Sequence, residues 1–262
     1  MYRFEYAIGI DYSGARSSET RSATLQASTA RTGCLPTLVS SPTSTPQRKR
    51  NWNRRELATW LAEQLSNSPP VIVGIDHGFS FPSSYFRRYR LSDWDAFLRD
   101  FVRHWPTADE GVCIEDLRAA PDSLAKLRQG SSRDLRLTEK WSGAAKSVFQ
   151  FDVQGSVAKS THAGIPWLHW LREKLPDAIH FWPFDGWDPP AGKSVLCEAY
   201  PSILRKRYPR ESRSVDQHDA YSIARWLGEC TQRNTISRYF DVPLSDEERS
   251  LAEQEGWILG IL

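Results

Sequence analysis

The chain has 262 residues, of which 40% are hydrophobic and 25% charged, with eleven Trp and a formal net charge of +2. The aromatic content excludes an intrinsically disordered chain. The net charge is close to zero and does not by itself indicate a nucleic-acid partner. No apolar run approaches the roughly 20 residues of a membrane helix, and no secretory signal is visible, so we expect a soluble, cytoplasmic protein. The four cysteines match no metal or disulfide motif, which fits a reducing compartment.

The first predicted element is a buried strand in residues 4–16, whose apolar segment ends at Asp11 before Gly14 turns the chain. A carboxylate at a buried strand end needs a metal ion, a hydrogen-bond donor or a cation nearby, because an unpaired charge is costly to bury. Residues 20–29 and 34–41 are predicted to be two further short strands. Together the three strands would form an antiparallel meander.

A helix and a central strand are predicted next. Residues 53–67 carry apolar side chains at helical spacing, and Asn53 is a suitable N-cap. The continuous apolar run in residues 69–76 predicts a parallel strand that ends at Asp76. A right-handed crossover would place this strand beside the first, so we expect Asp11 and Asp76 at the same edge of the sheet.

Residues 80–165 are predicted to be a largely helical insertion. Within it, residues 92–105 form an amphipathic pattern that opens with Ser92 and Asp95 at capping-box spacing. A helix at 162–177 follows the insertion, with Pro166 expected near its first turn.

Two candidate strands come after that helix, at residues 178–184 and 194–201, and the sequence leaves open which is the fifth strand. The second carries Glu198 near its end. The last core helix is predicted at 215–233, with Asp216 and Asp219 three residues apart in its first turn, where the helix dipole favours negative charge. We therefore expect one domain over 1–262, with a C-terminal helical extension at about 233–262.

Several short motifs together resemble an uncharacterised family of bacterial and archaeal proteins predicted to be ribonuclease-H-like nucleases. In chain order they are GIDYSGA, VGIDHGFSFP, KSVFQF, GIPWLHWLR, FWPF, CEAYPS, HDAYSIA and EGWILG. The resemblance implies an α/β, ribonuclease-H-like fold: a mixed five-stranded sheet, made of the antiparallel meander plus parallel strands, flanked by helices. It also implies that Asp11, Asp76 and Asp219 hold two divalent metal ions. Glu198 matches the family's own E-x-Y-P motif, and Asp216 matches a D-x-x-D form seen in resolvases.

The chemistry of these residues agrees with a nuclease. Two Mg²⁺ or Mn²⁺ ions roughly 3.5–4 Å apart can activate water and neutralise a scissile phosphate, and such hard cations bind carboxylate oxygens. We therefore predict a metal-dependent phosphodiester hydrolase with catalytic Asp11, Asp76, Glu198 and Asp219, and with Asp216 as a further ligand. Each acid also has a local alternative: a strand-end turn residue bonded to backbone amides, a helix cap, or, for Glu198, an ion pair with Arg205 or Lys206.

Proton transfer and nucleic-acid contact are assigned to residues outside the acid set. His218, and less so His77, could donate a proton to the leaving group. Three segments place cations beside aromatic rings, RKRNWNRR, YFRRYR and RKRYPRESR, a mixture suited to single strands. The candidate contacts with DNA or RNA are Arg48, Lys49, Arg50, Trp52, Arg87, Arg88 and Lys146. Solvated basic faces would explain the same segments.

Two other functions remain open. Actin-like phosphotransferases share the predicted sheet, although no glycine-rich phosphate motif is present near Asp76. A catalytically silent nucleic-acid- or protein-binding domain is the non-enzyme alternative. Replacing Asp11 by Asn separates these possibilities, because a binding domain would keep its interaction.

Overall fold

The computed structural model describes residues 2–43, 51–67, 69–153 and 155–262. Its strands are β1 (Tyr6–Asp11), β2 (Gln26–Arg31), β3 (Thr37–Val39), β4 (Val71–Asp76), β5 (Ile179–Phe181) and β6 (Ser194–Glu198). Its helices are α1 (Arg54–Asn67), α2 (Ser83–Tyr89), α3 (Trp94–His104), α4 (Ile114–Ala119), α5 (Leu137–Ser142), α6 (Ala158–Lys174), α7 (Val215–Gln232), α8 (Ser237–Phe240) and α9 (Asp246–Glu255). Short 3₁₀ turns occupy Leu124–Leu127, Pro201–Ile203 and Arg205–Arg207. Within the described ranges, no helix combines the length and apolarity needed to cross a bilayer.

The strands form one mixed six-stranded sheet in the order β3-β2-β1-β4-β6-β5. β1, β2 and β3 pair antiparallel, which confirms the predicted meander. β4 lies parallel to β1, as the crossover rule predicted, and β6 and β5 continue the sheet in parallel. The predicted count of five strands was wrong, because both candidate strands after α6 join the sheet, with β5 at its edge.

Each face of the sheet packs against its own set of helices, because successive strand side chains point to opposite faces. Ile8 and Ile10 of β1 pack in one core with residues of α1, α3 and α6. Ala7 of β1 and Ile72 of β4 pack in a second core with residues of α7 and the C-terminal segment. Asp11 continues the alternate series of Ala7, so its side chain belongs to the α7 face.

Some helix boundaries differ from the sequence prediction. α6 begins at Ala158, so Pro166 lies inside the helix and not in its first turn. The first turns of α6 are mostly polar and show no apolar residues at helical spacing, so the sequence pattern did not reveal where the helix begins. At α3 the cap is Asp93, whose side chain accepts a hydrogen bond from the Ala96 N–H at 2.7 Å, and not Ser92. Asn53 does cap α1 as predicted, through the Glu56 N–H at 2.8 Å.

Candidate active site

Asp11 and Asp76 are the last residues of neighbouring parallel strands and lie directly opposite each other in the register. Paired strands are about 4.8 Å apart, so the two carboxylates leave the sheet side by side. Asp11 is 9% exposed and Asp76 is partly buried. The predicted shared edge is therefore confirmed.

Two glycines bring α7 close to these carboxylates. Gly9 and Gly74 are also paired in the register, two residues before Asp11 and Asp76. A Cβ atom at Gly9 would lie 2.2 Å from the Ala220 carbonyl oxygen, and one at Gly74 would lie 2.6 Å from the Ile223 side chain. Only a residue without a side chain allows the helix backbone this near the sheet. The close approach brings the first turns of α7 to the acidic edge.

The first turns of α7 supply the other two carboxylates, Asp216 and Asp219. Neither caps the helix, because the Ser214 side chain accepts from the Gln217 N–H at 3.1 Å and the Gln217 side-chain oxygen accepts from the Ser214 N–H at 3.0 Å. The helix-cap alternative for the two acids is therefore wrong. Asp219 is 7% exposed, and its Oδ1 has no hydrogen-bond partner among the described residues.

The electrostatics identify these acids as one coupled group. Burial, followed by the charges of Asp76, Asp216 and Asp219, raises the pKa of Asp11 far above its usual range. Burial and then the Asp219 charge raise the pKa of Asp76. The pKa of Asp219 is also raised by burial, although Arg205 opposes the shift. Arg205 offsets only part of the cost of ionising these carboxyls, and a bound cation would offset more of it.

A cavity of about 290 Å³ opens beside the acids. Its lining includes Asp76, Asp219, Tyr12, Lys146 and Arg205. Arg205 donates from Nη1 to Asp219 Oδ2 at 3.1 Å, and the Tyr12 hydroxyl is buried without a partner among the described residues. The cavity thus places cations and a free hydroxyl next to the carboxylates.

Glu198 lines the same cavity, and its charge contributes to the raised pKa of Asp76, but its carboxylate has a cation of its own. In the register it lies opposite Ile75 and not Asp76, so its side chain points to the other face of the sheet. There the buried Arg136 donates two hydrogen bonds to its carboxylate, at 2.6 and 2.7 Å. Arg136 also pairs with Glu139 at 3.0 Å. Glu198 is therefore already neutralised by Arg136, and not by Arg205 or Lys206, the partners that the sequence suggested.

Both candidate histidines are tied to backbone carbonyls. His77 Nδ1 lies 2.9 Å from the Gly78 carbonyl oxygen, and burial lowers the pKa of His77 to about 4. His218 Nε2 lies 3.0 Å from the Arg205 carbonyl oxygen, and its Nδ1 is buried without a partner among the described residues. The position of His218, beside Asp219 and against the Arg205 backbone, keeps it near the cavity.

The predicted nucleic-acid contacts separate into three groups. Arg48, Lys49 and Arg50 lie outside the described residues. Trp52 was a wrong candidate: it is 0% exposed and donates its indole N–H to the Val39 carbonyl, so its ring cannot stack on a base. Of the remainder, Lys146 lines the acidic cavity, whereas Arg87 and Arg88 are exposed on α2.

Arg54 is a site-supporting residue whose role the sequence did not reveal. Its guanidinium is buried and donates to the carbonyls of Ser13, Ala15 and Arg16, at 3.3, 3.0 and 2.8 Å. These bonds fix the loop that follows Asp11. The sequence signal was a cation at the N-terminus of a helix, where the dipole disfavours it.

Comparison with known proteins gives no family assignment: no protein-family model, curated protein or solved structure matches the chain significantly. Among the described residues, no group of three or more His, Cys, Asp or Glu side chains is arranged so that it could hold a metal ion. The structure therefore shows Asp11 and Asp76 side by side at the strand ends, with Asp219 nearby but paired with Arg205. The two-metal site remains a prediction.

Proposed function

We propose that the protein is a divalent-metal-dependent nuclease that hydrolyses phosphodiester bonds in DNA or RNA on a ribonuclease-H-like fold. The observation that carries the proposal is the opposed pair Asp11 and Asp76, with α7 brought over it by two glycines. An antiparallel meander followed by parallel strands, with the acids at the ends of β1 and β4, is the arrangement that the resemblance implied.

The donor set suits Mg²⁺ or Mn²⁺. Asp11, Asp76 and Asp219 offer hard oxygen atoms, and the unpartnered Oδ1 of Asp219 is a buried acceptor in need of positive charge. Asp11 and Asp76 would hold the metal, and Asp219 would become a third ligand once its carboxylate is released from Arg205. Asp216 would add negative charge nearby. When bound, such ions supply an activated water and neutralise the phosphate. Glu198 is left out of the ligand set because Arg136 already binds its carboxylate.

The remaining residues of the cavity would bind and orient the substrate. Arg205 and Lys146 bring positive charge to the wall where a phosphate would lie, and the Tyr12 hydroxyl can donate to it. Arg205 now contacts Asp219, so a cation at Asp219 would release the guanidinium toward the substrate. Cavity and acids together then form one phosphate-binding surface.

Cleavage assays test this proposal directly. The purified chain is incubated with end-labelled single strands, duplexes and four-way junctions of DNA and RNA, in Mn²⁺, Mg²⁺ or EDTA. We expect Mn²⁺- or Mg²⁺-dependent cleavage that Asp11→Asn and Asp76→Asn reduce at least about 100-fold, or roughly 2.7 kcal/mol of activation free energy. Asp246→Asn, an exposed carboxylate in the first turn of α9, is the matched control.

The same variants separate the alternatives. Binding of nucleic acid that survives Asp11→Asn, without cleavage by the unmodified protein, would support the silent binding domain. A thermal shift with ATP that Asp11→Asn removes would support nucleotide-dependent phosphoryl transfer. Absence of Mn²⁺ binding at millimolar concentration in a calorimetric titration would contradict the nuclease.

A further inference from the structure

A second cavity, of about 570 Å³, is lined by residues of α4, the Leu124–Leu127 turn, the segments after α3 and α5, and α6. It shares no lining residue with the acidic cavity. Its walls are formed by Trp105, Arg118, Lys126, Phe149, Phe151 and His162, among others. The volume falls within the roughly 300–1,000 Å³ of small-molecule sites. Nothing in the proposed nuclease reaction uses these residues.

Aromatic rings form the apolar part of the cavity. The planes of Trp105 and Phe151 are 13° from parallel, with centroids 6.4 Å apart. A Cβ atom at Gly130 would lie 2.1 Å from the Phe149 ring, so the glycine lets that ring lie against the backbone. Parallel and close-fitting rings of this kind favour a flat aromatic ligand.

His162 provides a polar atom in this aromatic setting. It is 1% exposed and is surrounded by rings, with Trp105 at 4.6 Å and Phe151 at 4.7 Å between centroids. Its Nδ1 lies 2.9 Å from the Ala158 carbonyl oxygen, which can only accept, so Nδ1 carries the hydrogen. Nε2 is then a bare acceptor, and it makes no hydrogen bond within the described part of the chain. A ligand with an N–H donor would satisfy it.

The polar side of the cavity is positively charged. The Arg118 guanidinium lies 4.2 Å from the Phe151 centroid, and its nearest carboxylate, Asp152, is 3.7 Å away with a side chain that is 90% exposed. Lys126 hydrogen-bonds only the Arg118 carbonyl, within the described residues. The one carboxylate in the lining, Glu115, is already paired with Lys159. The net charge therefore suits an anion.

We propose that this cavity binds a nucleotide, with the base against Trp105, Phe151 and the His162 acceptor and the phosphate between Arg118 and Lys126. Base amino and ring N–H groups are donors whose hydrogen bonds His162 Nε2 can accept, and the Arg118 guanidinium and Lys126 ammonium can donate to phosphate oxygens. A purely apolar ligand would leave both cations and the acceptor unused. The ligand is either a free mononucleotide or the phosphorylated end of a strand.

Calorimetric titration in EDTA tests the site with adenosine 5′-monophosphate, uridine 5′-monophosphate and the nucleoside adenosine, which has no phosphate. We expect saturable binding of at least one nucleotide, weakened about tenfold or more by Arg118→Gln/Lys126→Gln, and weaker still for the nucleoside. Both changed side chains are at the surface, and an unaltered melting temperature shows that the variant is folded. Arg3→Gln/Arg233→Gln removes the same charge from exposed positions elsewhere and should leave the affinity unchanged.

The proposal is overturned if neither nucleotide binds up to about 5 mM, or if Arg118→Gln/Lys126→Gln binds like the unmodified chain. Tighter binding of a 5′-phosphorylated oligonucleotide than of the mononucleotide identifies a strand end as the ligand, and equal or weaker binding identifies the free nucleotide. The titration is repeated in Asp11→Asn, where the site should be intact. Loss of the proposed nuclease activity therefore leaves this result interpretable.

Discussion

Asp11 is the residue at which the proposed function and stability oppose each other. Its folded-state pKa lies above the ordinary value of about 3.9 because the carboxyl is buried beside other acids. Folding therefore favours the protonated form. This contribution to stability is complete below about pH 4 and is lost as the pH rises toward the folded-state pKa.

Asp11→Asn should consequently stabilise the metal-free protein at pH 8. We expect the free energy of unfolding to rise by about 1–2 kcal/mol, which corresponds to roughly 2–8 °C in melting temperature. The gain should shrink toward pH 5, because the pH then approaches the ordinary pKa of about 3.9, below which burial of the protonated carboxyl carries no ionisation cost. Added Mn²⁺ should stabilise only the wild type. Thermal melts in EDTA and in Mn²⁺ over this pH range measure both effects. Equal melting temperatures for variant and wild type at every pH would show that burial and the neighbouring acids do not disfavour the charged form of Asp11.

Under the proposed function, Arg205 would compete with a cation for Asp219, since its Nη1 lies 3.1 Å from Oδ2. Arg205→Gln should therefore tighten Mn²⁺ binding about threefold to tenfold while it weakens nucleic-acid binding and lowers the salt slope by about one. Calorimetry with Mn²⁺ and anisotropy with a labelled strand at several salt concentrations provide the two readouts. Lys206→Gln, in the same 3₁₀ turn but fully outside the cavity lining, should leave Mn²⁺ affinity unchanged. A variant with weaker Mn²⁺ binding would contradict this role.

At the scale of elements, the site depends on how closely α7 approaches β1. Gly9→Ala would place a methyl group 2.2 Å from the Ala220 carbonyl oxygen, so the helix must move outward. We expect a loss of about 2–4 kcal/mol in stability and a loss of activity beyond what unfolding explains. Denaturant unfolding and cleavage rates on the folded fraction measure the two. Gly228→Ala is the matched control within α7, because its nearest neighbour outside the helix, the Ala7 Cβ, is 3.8 Å away. It should be neutral or stabilising by up to about 1 kcal/mol.

Register explains which acids the sequence could place. The apolar runs and the crossover rule were sufficient to bring Asp11 and Asp76 together, because each ends a strand of equal length. Glu198 also ends a strand, but β6 is shifted by one residue, so Glu198 pairs with Ile75. A shift of one residue exchanges the two faces of a strand, and no feature of a single sequence fixes it. The sequence also could not show that Trp52 is buried, because a ring beside basic residues can lie either at the surface or in the core.

At the scale of the whole molecule, Arg136 joins α5, which it caps, to two distant parts of the chain. It binds Glu198 at the end of β6 and Glu139 in α5, and it donates to the Glu255 carbonyl at the end of α9, at 3.3 Å. Glu255 in turn accepts from the Leu137 N–H at 2.6 Å. No periodicity marks Arg136, because it lies in an irregular segment of the insertion, and so its partners could not be predicted.

Arg136→Met should be strongly destabilising, because it leaves two carboxylates buried without a cation. We expect a loss of about 3–5 kcal/mol in the free energy of unfolding at pH 7. The loss should shrink as the pH falls toward about 4, since the abandoned carboxyls then become protonated. Glu139→Gln/Glu198→Gln in the Arg136→Met background should recover part of the stability, because it removes the buried charge. Denaturant unfolding at pH 5 and pH 7.5 separates these contributions.

The control for this prediction is an arginine whose carboxylate is in water. Arg249→Met breaks the pair with Asp241, whose side chain is 85% exposed, and should cost no more than about 1 kcal/mol with little change between the two pH values. A similar small loss for Arg136→Met would mean that water reaches Glu198 and Glu139. Glu198 would then be free to turn toward Asp76, and its exclusion from the metal ligands would no longer hold.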